Sequence, residues 1–218
     1  NFQHTLIMKT SSLFFNLFIF ACCLIGVERL CAQPGKKEII NDNLLFRAAM
    51  NAEYADSATT PLTPEGLRNF HGLNFFPVKA TYCVISKLTL TPGEQAFEMP
   101  RSKGNTGTYR KYGEAEFMLN GTLCSLSVYQ YMKLINDSLY KDDLFLPFKD
   151  LTNGNKTYGG GRFLELKIPE GDQLLIDFNK AYNPLCCYGN PKYSCPIPPE
   201  ENHLKIKILA GEKAYKGK

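Results

Sequence analysis

The sequence predicts a mostly β protein, either an antiparallel β sandwich or a partly open barrel, preceded by one or two short helices. Three observations predict this class. Apolar and polar residues alternate from Thr81 onward, an Asn-Gly pair at residues 120–121 marks a β-hairpin, and the helix signals precede about residue 70. A chain of 218 residues has room for one domain with a real core, which we place at residues 44–213, followed by a tail at 214–218.

The N-terminal region has the pattern of a secretory signal peptide over residues 8–32. Lys9 supplies a positive charge, Leu13–Val27 is an apolar stretch of 15 residues, and Ala32 is the small residue that a signal peptidase requires. An apolar stretch of this length is too short to span a bilayer. We therefore expect an exported protein, periplasmic or extracellular, that is cleaved after Ala32.

Two other outcomes stay open at this end of the chain. Cys22 or Cys31 could carry a lipid that anchors the protein in the cell envelope, or the signal could remain uncleaved. Residues 1–7 precede Met8 and are expected to lie upstream of the translated protein, and residues 33–43 would form a short leader. A membrane is thus expected as a partner only through the signal segment or a lipid anchor.

The composition excludes several function classes. Hydrophobic residues make up 44% of the chain and charged residues 21%, which is ordinary for a globular protein and unlike a disordered or collagen-like chain. A formal net charge of +4 is too weak to indicate nucleic acid. The GxSxG, HExxH and EF-hand patterns are absent. We expect no cofactor and no metal, and the partner is either an unknown small molecule or none.

The first predicted helix lies at the start of the domain. Asn41, Asp42 and Asn43 offer N-cap side chains, and the helix is expected to end near Asp56. Its apolar stripe would consist of Leu45, Ala48, Ala49 and Ala52.

The second predicted helix is shorter. Thr63 is its N-cap and Pro64 takes the first helical position, while Leu62 is placed to pack on Leu67. One or two turns follow, to about Phe70.

The clearest sheet element is the hairpin around Asn120-Gly121. A two-residue turn pairs Leu119 with Thr122, and alternate residues on the two strands then share a face. That face contains Ala115, Phe117, Leu119, Cys124, Leu126 and Val128. Cys124 is therefore predicted to be buried as a small core residue.

A second hairpin is predicted to join GRFLELKI to QLLIDFN through residues 169–172. A five-residue loop sets Glu165 opposite Asp177, whereas a four-residue loop sets Arg162 across from Asn179. We prefer the five-residue loop because it matches two apolar sets. These are Leu164, Leu166 and Ile168 on one strand, and Leu174, Ile176 and Phe178 on the other. In either register Asp177 and Asn179 share a face.

The last predicted strand is HLKIKIL, near the C-terminus. Its apolar residues alternate with Lys205 and Lys207, which is the pattern of a half-exposed strand at a sheet edge. The apolar positions are Leu204, Ile206 and Ile208.

Five blocks of sequence are distinctive: LTPEGLRNFHGLNFFPV, YRKYGEAEF, FLPFKDLTNGNKTYGGGRFLEL, LIDFNKAYNPLCCYGNPKYSCPIPPEENHL and AGEK. From about residue 44 to 213 the chain resembles, through these blocks, the bacterial and archaeal family known as domain of unknown function 1684. The resemblance implies a shared fold and, since the family name records no activity, almost nothing about chemistry.

The resemblance also points to individual positions in the long Gly-, Asn- and Pro-rich segments between residues 148 and 204. Such segments either tie themselves down through hydrogen bonds or form a site. The ligand-binding candidates are Thr152, Thr157, Tyr158, Gly159, Gly161, Asn179, Tyr182, Asn183 and Asn202. The glycine-rich turn lacks the ending of a P-loop, so it indicates a tight turn more than a phosphate site.

Three carboxylates, Asp150, Glu165 and Asp177, carry the acid and base chemistry that this region offers. We take Asp150 and Asp177 as the catalytic candidates, with Arg162 as a clamp for a substrate anion. The alternative is that Arg162 forms a salt bridge with an aspartate and locks the loops.

Cys186 and Cys195 are separated by eight residues in a Gly- and Pro-containing loop. In an oxidising compartment they are expected to form a loop-closing disulfide. A zinc site, a nucleophilic thiol and two free structural thiols remain the alternatives.

Two functions follow from these candidates. The first is an exported ligand-binding or structural β domain, whose pocket is built by the loops at residues 150–162 and 177–202. The alternative is an exported hydrolase that uses acidic residues and Arg162. An open pocket where Asp150, Arg162, Asp177, Asn179 and Asn183 converge would favour the hydrolase, and mutual pairing and burial of these groups would contradict it.

Overall fold

The computed structural model describes residues 33–216, in which one curled antiparallel sheet forms a half-barrel. Its seven strands are β1 (Cys83–Leu90), β2 (Phe97–Pro100), β3 (Thr106–Leu119), β4 (Thr122–Tyr131), β5 (Asp143–Phe148), β6 (Arg162–Lys167) and β7 (Gln173–Asp177). The strand order is β6-β5-β4-β3-β1-β7, and β2 pairs with the first residues of β3. The predicted class is confirmed, and the architecture is the partly open barrel. The predicted signal peptide lies outside the described residues.

In the described part of the chain, two α-helices and four short 3-10 helices accompany the sheet. The α-helices are α1 (Lys36–Ala55) and α2 (Pro64–Arg68), and the 3-10 helices span Ala80–Tyr82, Phe178–Lys180, Leu185–Tyr188 and Glu200–Asn202. None of the helices in residues 33–216 has the length and apolarity that a membrane crossing requires.

The Asn-Gly hairpin forms as predicted between β3 and β4. Leu119 pairs with Thr122, and Phe117 pairs with Cys124. Asn120 and Gly121 have φ angles of 50° and 79°, as a two-residue turn of the I′ type requires. All six residues of the predicted apolar face are buried, Cys124 among them. This face, with the alternate residues of β5, β6 and β7, builds the main core.

The predicted second hairpin is wrong. β6 pairs with β5, where Glu165 lies opposite Phe145, and β7 pairs with β1, where Asp177 lies opposite Cys83. The two strands occupy opposite edges of the sheet, so neither loop length that we considered applies. Both strands do present the predicted apolar sets to the core. The apolar residues of β6 match those of β5, and the apolar residues of β7 match those of β1, as well as β6 and β7 match each other. A turn signal between β6 and β7 therefore does not determine which strands pair.

The predicted last strand is also wrong, although its pattern of burial is right. Leu204 and Ile208 are buried while both lysines are exposed, but residues 203–209 form no strand and make one isolated bridge, from His203 to Lys149. The carbonyl of Ile208 accepts a hydrogen bond from the Arg162 side chain instead of a strand amide. At Ile208 a side chain therefore replaces the backbone partner that the alternating pattern predicts, while Leu204 and Ile206 keep backbone hydrogen bonds to Lys149 and Leu151.

Helix α1 begins earlier than predicted and presents a different face. It starts at Lys36, where the Glu38 carboxylate accepts a hydrogen bond from the Gly35 amide, and it ends at Ala55, next to the predicted end near Asp56. The predicted stripe is wrong, since Leu45 is 72% exposed and the three alanines are also exposed. The buried residues are Ile39, Asn43, Met50 and Tyr54. The helix is oriented by the hydrogen bond from Asn43 to Asp177 and by the packing of the Tyr54 ring in an apolar cluster. Alanine side chains cannot make either contact.

Helix α2 begins as predicted. Pro64 is its first residue, and the Thr63 hydroxyl accepts a hydrogen bond from the Gly66 amide at 3.0 Å. The helix ends at Arg68, two residues before the predicted end. Leu62 and Leu67 belong, with Met50 and Tyr54 of α1, to a second apolar cluster that packs around Tyr188.

Candidate functional site

The face of the sheet opposite the main core carries one wall of a cleft of about 470 Å³. Residues on a strand alternate between the two faces, so the side chains between the core residues of β4, β5 and β6 point to this side. Pairing places Tyr109 beside Tyr131 and Phe145 beside Glu165. Five residues form this wall: Tyr109, Tyr131, Phe145, Phe163 and Glu165.

Helix α1 and the segment at residues 182–196 provide the rest of the lining. Tyr182 lies beside the wall because its amide and carbonyl pair with those of Phe163, at 3.1 and 2.9 Å. From α1 the cleft is lined by Phe46, Met50, Glu53 and Tyr54, and from the 182–196 segment by Tyr182, Leu185, Tyr193, Ser194, Cys195 and Pro196; Leu134 completes it.

The wall is a packed set of aromatic rings. Phe145 and Phe163 meet edge to face with ring centroids 4.8 Å apart, and Phe163 meets Tyr182 nearly perpendicularly. Tyr109 stacks on Tyr131 at 4.9 Å. Because the rings contact one another and all of them except Tyr182 are on strands, the cleft is shaped before any ligand enters.

Glu165 is the chemically distinctive group of the cleft. Its Oε1 accepts a hydrogen bond of 2.6 Å from the Tyr182 hydroxyl. The carboxylate is open to the solvent of the cleft, yet protein surrounds it on the other sides, and this burial raises its pKa to about 7, while the Tyr182 hydroxyl opposes the rise. Near neutral pH Glu165 therefore exists in both protonation states and can accept or donate a proton.

Tyr182 is the fixed hydrogen-bond donor to that carboxylate. Burial raises its pKa well above the ordinary value, and the negative charge of Glu165 raises it further. The phenol therefore stays protonated as Glu165 titrates. Tyr182 was a ligand-binding candidate from the sequence, and it is the one such candidate that lines the cleft.

Arg162 and Asp150, two of the catalytic candidates, form a buried ion pair. The guanidinium Nη2 lies 2.7 Å from Asp150 Oδ2, and neither side chain is accessible to solvent. Arg162 also donates to the carbonyls of Ile208 and Ala210, and Asp150 Oδ1 accepts from the Thr152 amide at 2.7 Å. The pair joins β6 to the last segment of the chain and presents no free donor fork to a substrate.

The glycine-rich turn ties itself down next to this pair. The hydroxyls of Thr152 and Thr157 are 2.8 Å apart, and the Asn153 amide group donates to Thr157 and to the Tyr158 carbonyl. Gly161 has a φ of 97°, and a Cβ there would lie 2.7 Å from the Phe148 carbonyl oxygen. Gly159 lies in the same turn, over Gly154. These hydrogen bonds and close approaches hold the turn closed.

Asp177, the third catalytic candidate, lies in a different network. Its Oδ2 accepts from Asn43 of α1 at 2.6 Å, and its Oδ1 accepts from the Asn179 amide group at 2.7 Å. Asn179 in turn bonds both the amide and the carbonyl of Lys79. Asp177 and Asn179 come together as predicted, but the structure does not bring them to Asp150 and Arg162.

Two further asparagines connect distant segments. Asn202 accepts from the Ser127 amide and donates to the carbonyls of Ser127 and Pro147, which fixes the 200–202 helix against β4 and β5. Asn183 bonds Glu212 and the Lys213 carbonyl. The groups whose convergence would have favoured the hydrolase are thus buried and paired within separate networks.

Sequence reasoning missed Glu212. The residue is 1% exposed, and its two oxygens accept from the Tyr188 hydroxyl at 2.7 Å and from the Asn183 amide at 2.8 Å. Burial raises its pKa to about 7 against these hydrogen bonds and the nearby Arg162 charge. The terminal AGEK block contains this residue, but a short motif at the end of a chain gave no sign of burial.

Cys186 and Cys195 are neighbours and are free thiols in the structure. The Cys186 amide donates to Cys195 Sγ at 3.1 Å. Hydrogen bonding from the Cys195 thiol lowers the pKa of Cys186 to about 6, and the same contact raises the pKa of Cys195. Their disulfide stays a prediction, and Cys195 also lines the cleft.

No three His, Cys, Asp or Glu side chains within residues 33–216 are arranged to hold a metal ion.

Comparisons with known proteins identify the family and a related solved structure. The family model described as "Protein of unknown function (DUF1684)" matches residues 68–213. The chain is also similar to an uncharacterised protein of Haloarcula marismortui solved by NMR in solution, with 30% identity, a TM-score of 0.62 and coverage of 79% of this chain and 92% of the other. No curated protein matches the chain.

Proposed function

The chain belongs to the DUF1684 family of proteins of unknown function, and we propose that it is an exported domain that binds a small molecule in the aromatic cleft. The observation that carries the proposal is the cleft itself, about 470 Å³ in volume, in which aromatic walls surround the Glu165–Tyr182 pair. Binding sites are commonly concave and apolar with a few placed polar groups, and this cleft has that composition. The loops at residues 150–162, which we first expected to build the pocket, are instead closed.

A ligand-detected NMR screen of small aromatic fragments tests the binding function. We expect fragments that bind the wild-type protein to lose binding in Leu134→Trp, because the indole fills space that Leu134 borders. Leu139→Trp is the matched control, since Leu139 is 74% exposed and does not line the cleft. Fragments that bind all three proteins equally well, or a screen without binders, would contradict the proposal.

Export is supported by the signal pattern at residues 8–32. When the chain is expressed from Met8 in a Gram-negative host, we expect a periplasmic product that begins at Gln33 and carries a Cys186–Cys195 disulfide. A disulfide that closes so short a loop is worth about 2 to 3 kcal/mol. Intact-protein mass and thiol counting measure both events. An uncleaved N-terminus with both thiols reduced would contradict the proposal that the protein is exported.

An exported hydrolase is the second candidate, and one observation favours it. Glu165 is accessible in the cleft and its pKa is raised to about 7, which suits a general acid or base. In this second candidate function Glu165, and not Asp150 or Asp177, is the general acid or base. Arg162 does not bind a substrate anion, because it is paired with Asp150. Turnover of a bound ester or glycoside by the wild-type protein, absent from Glu165→Gln, would favour the hydrolase over simple binding.

A further inference from the structure

We propose that the cleft selects an organic cation, an ammonium or guanidinium group carried on an aromatic or aliphatic body. The inference rests on the proposed binding function and names the class of its ligand. Three features of the cleft support it: the sign of its charges, the arrangement of its rings and the free capacity of its carboxylate.

The charges that line the cleft are negative. Glu53 and Glu165 are acidic, and none of the described residues that line the cleft is Lys, Arg or His. Charges interact more strongly in a partly enclosed cleft than in bulk water, because protein replaces part of the solvent that would screen them. A carboxylate ligand would meet repulsion here and an ammonium ligand attraction.

The rings next to Glu165 meet edge to face, whereas Tyr109 lies within about 33° of the planes of Tyr131 and Phe145. Phe163 lies at 74° to Phe145 and at 88° to Tyr182, so neighbouring walls meet at nearly right angles. A planar ligand that stacks needs parallel faces, whereas a cation is attracted by several ring faces that surround it. Glu165 places an acidic group beside these edge-to-face rings, since it is the cross-strand neighbour of Phe145.

The wall already attracts one cation of the protein itself. The Arg101 guanidinium lies 5.6 Å from the centroid of the Tyr131 ring, although Arg101 does not line the cleft. Its positive charge opposes part of the field of the two glutamates. The preference for a cation therefore has to be measured against both a neutral and an anionic ligand of the same shape.

The Glu165 carboxylate retains the capacity to accept a hydrogen bond from a ligand. Tyr182 bonds Oε1, and no other donor within residues 33–216 is bonded to this carboxylate. A ligand N–H can therefore meet Oε2 while Tyr182 holds the group in place. A charge-assisted hydrogen bond of this kind strengthens binding by about tenfold or more.

The test uses three probes that share a benzyl group: 2-phenylethylamine, 2-phenylethanol and phenylacetate. Dissociation constants are measured at pH 8 by ligand-detected NMR on the wild-type protein, Glu165→Gln and the exposed control Glu116→Gln. We expect the amine to bind about tenfold more tightly than the alcohol, and phenylacetate most weakly. In Glu165→Gln the amine falls to the level of the alcohol, while Glu116→Gln behaves as the wild type.

The amine should also bind less tightly as the pH falls from 8 to 6. Glu165 takes up a proton in this range while the amine stays charged. The charged and titratable groups that interact with Glu165 are Tyr182, Asp143, Lys167 and Tyr109. The comparison of the three probes on the wild-type protein does not depend on how well the variant folds. Circular dichroism measures whether Glu165→Gln is folded.

The outcomes separate the ligand class from the binding function. Binding of the alcohol or of phenylacetate at least as tight as that of the amine overturns the cation class and leaves the binding function standing. Absence of all three probes from the cleft also overturns the cation class. The binding function itself fails only if the fragment screen, with its Leu134→Trp comparison, finds no ligand for the cleft.

Discussion

Replacing Arg162 with methionine is expected to lower the free energy of unfolding by about 3 to 5 kcal/mol. Arg162 and Asp150 are completely buried, and their ion pair is 2.7 Å long. Removal of the guanidinium leaves an uncompensated carboxylate in the interior and removes the donors to the carbonyls of Ile208 and Ala210. Denaturant unfolding followed by circular dichroism measures the change, since the chain has no tryptophan.

Lys167→Met is the matched control for this variant. Lys167 is on the same strand and is also paired with an aspartate, Asp143, but its side chain is 68% exposed. Exposed pairs of this kind often contribute nothing measurable to stability. The double variant Arg162→Met with Asp150→Asn should recover part of the loss, because no charge is then left unpaired. A stability of Arg162→Met equal to that of the control would rule out the structural role of Arg162.

Glu212→Gln is expected to be more stable than the wild type at pH 8, by on the order of 2 kcal/mol. Glu212 is buried, and its pKa is raised from 4.5 to about 7 in the folded protein. Glutamine keeps an oxygen for the Asn183 amide and offers an N–H to the Tyr188 oxygen. It therefore removes the cost of an ionised group without leaving these two partners unbonded.

The sign of the pH dependence follows from the direction of the shift. A carboxyl with a raised pKa in the folded state stabilises the fold below its unfolded pKa near 4.5, and this contribution is lost as the pH rises through about 7. The difference in unfolding free energy between Glu212→Gln and the wild type should grow from pH 5 to pH 7 and then level off. The exposed Glu116→Gln variant should show no such growth, and a flat difference for Glu212→Gln would contradict the assignment.

The β3–β4 hairpin was predictable because its information is local. Asn120 and Gly121 fix the turn, the turn fixes the register, and the register fixes which side of each strand is buried. The pairing of β6 with β5, and of β7 with β1, depends on the competition among several strands with similar apolar faces. A single sequence does not show which strand wins that competition, so the second hairpin was wrong.

The candidate site was hard to predict from the sequence for a different reason. The distinctive residues of the sequence blocks, such as Arg162, Asn179 and Asn202, are conspicuous because each holds two or more distant segments together. The cleft residues Tyr109 and Tyr131 appear in no unusual spacing, and Glu165 was one of three carboxylates of the region but was not taken as a catalytic candidate. Their convergence depends on the curl of the sheet and on the position of α1, which the sequence pattern did not specify.

The contact of Arg162 with the carbonyls of Ile208 and Ala210 has a consequence for the order in which the chain folds. A strand can pair with its neighbour as soon as both have been synthesised, but the shell around Asp150 and Arg162 stays incomplete until residues 208–212 have left the ribosome. Closure of the shell around Asp150 and Arg162 therefore follows the pairing of the strands that precede it in the chain.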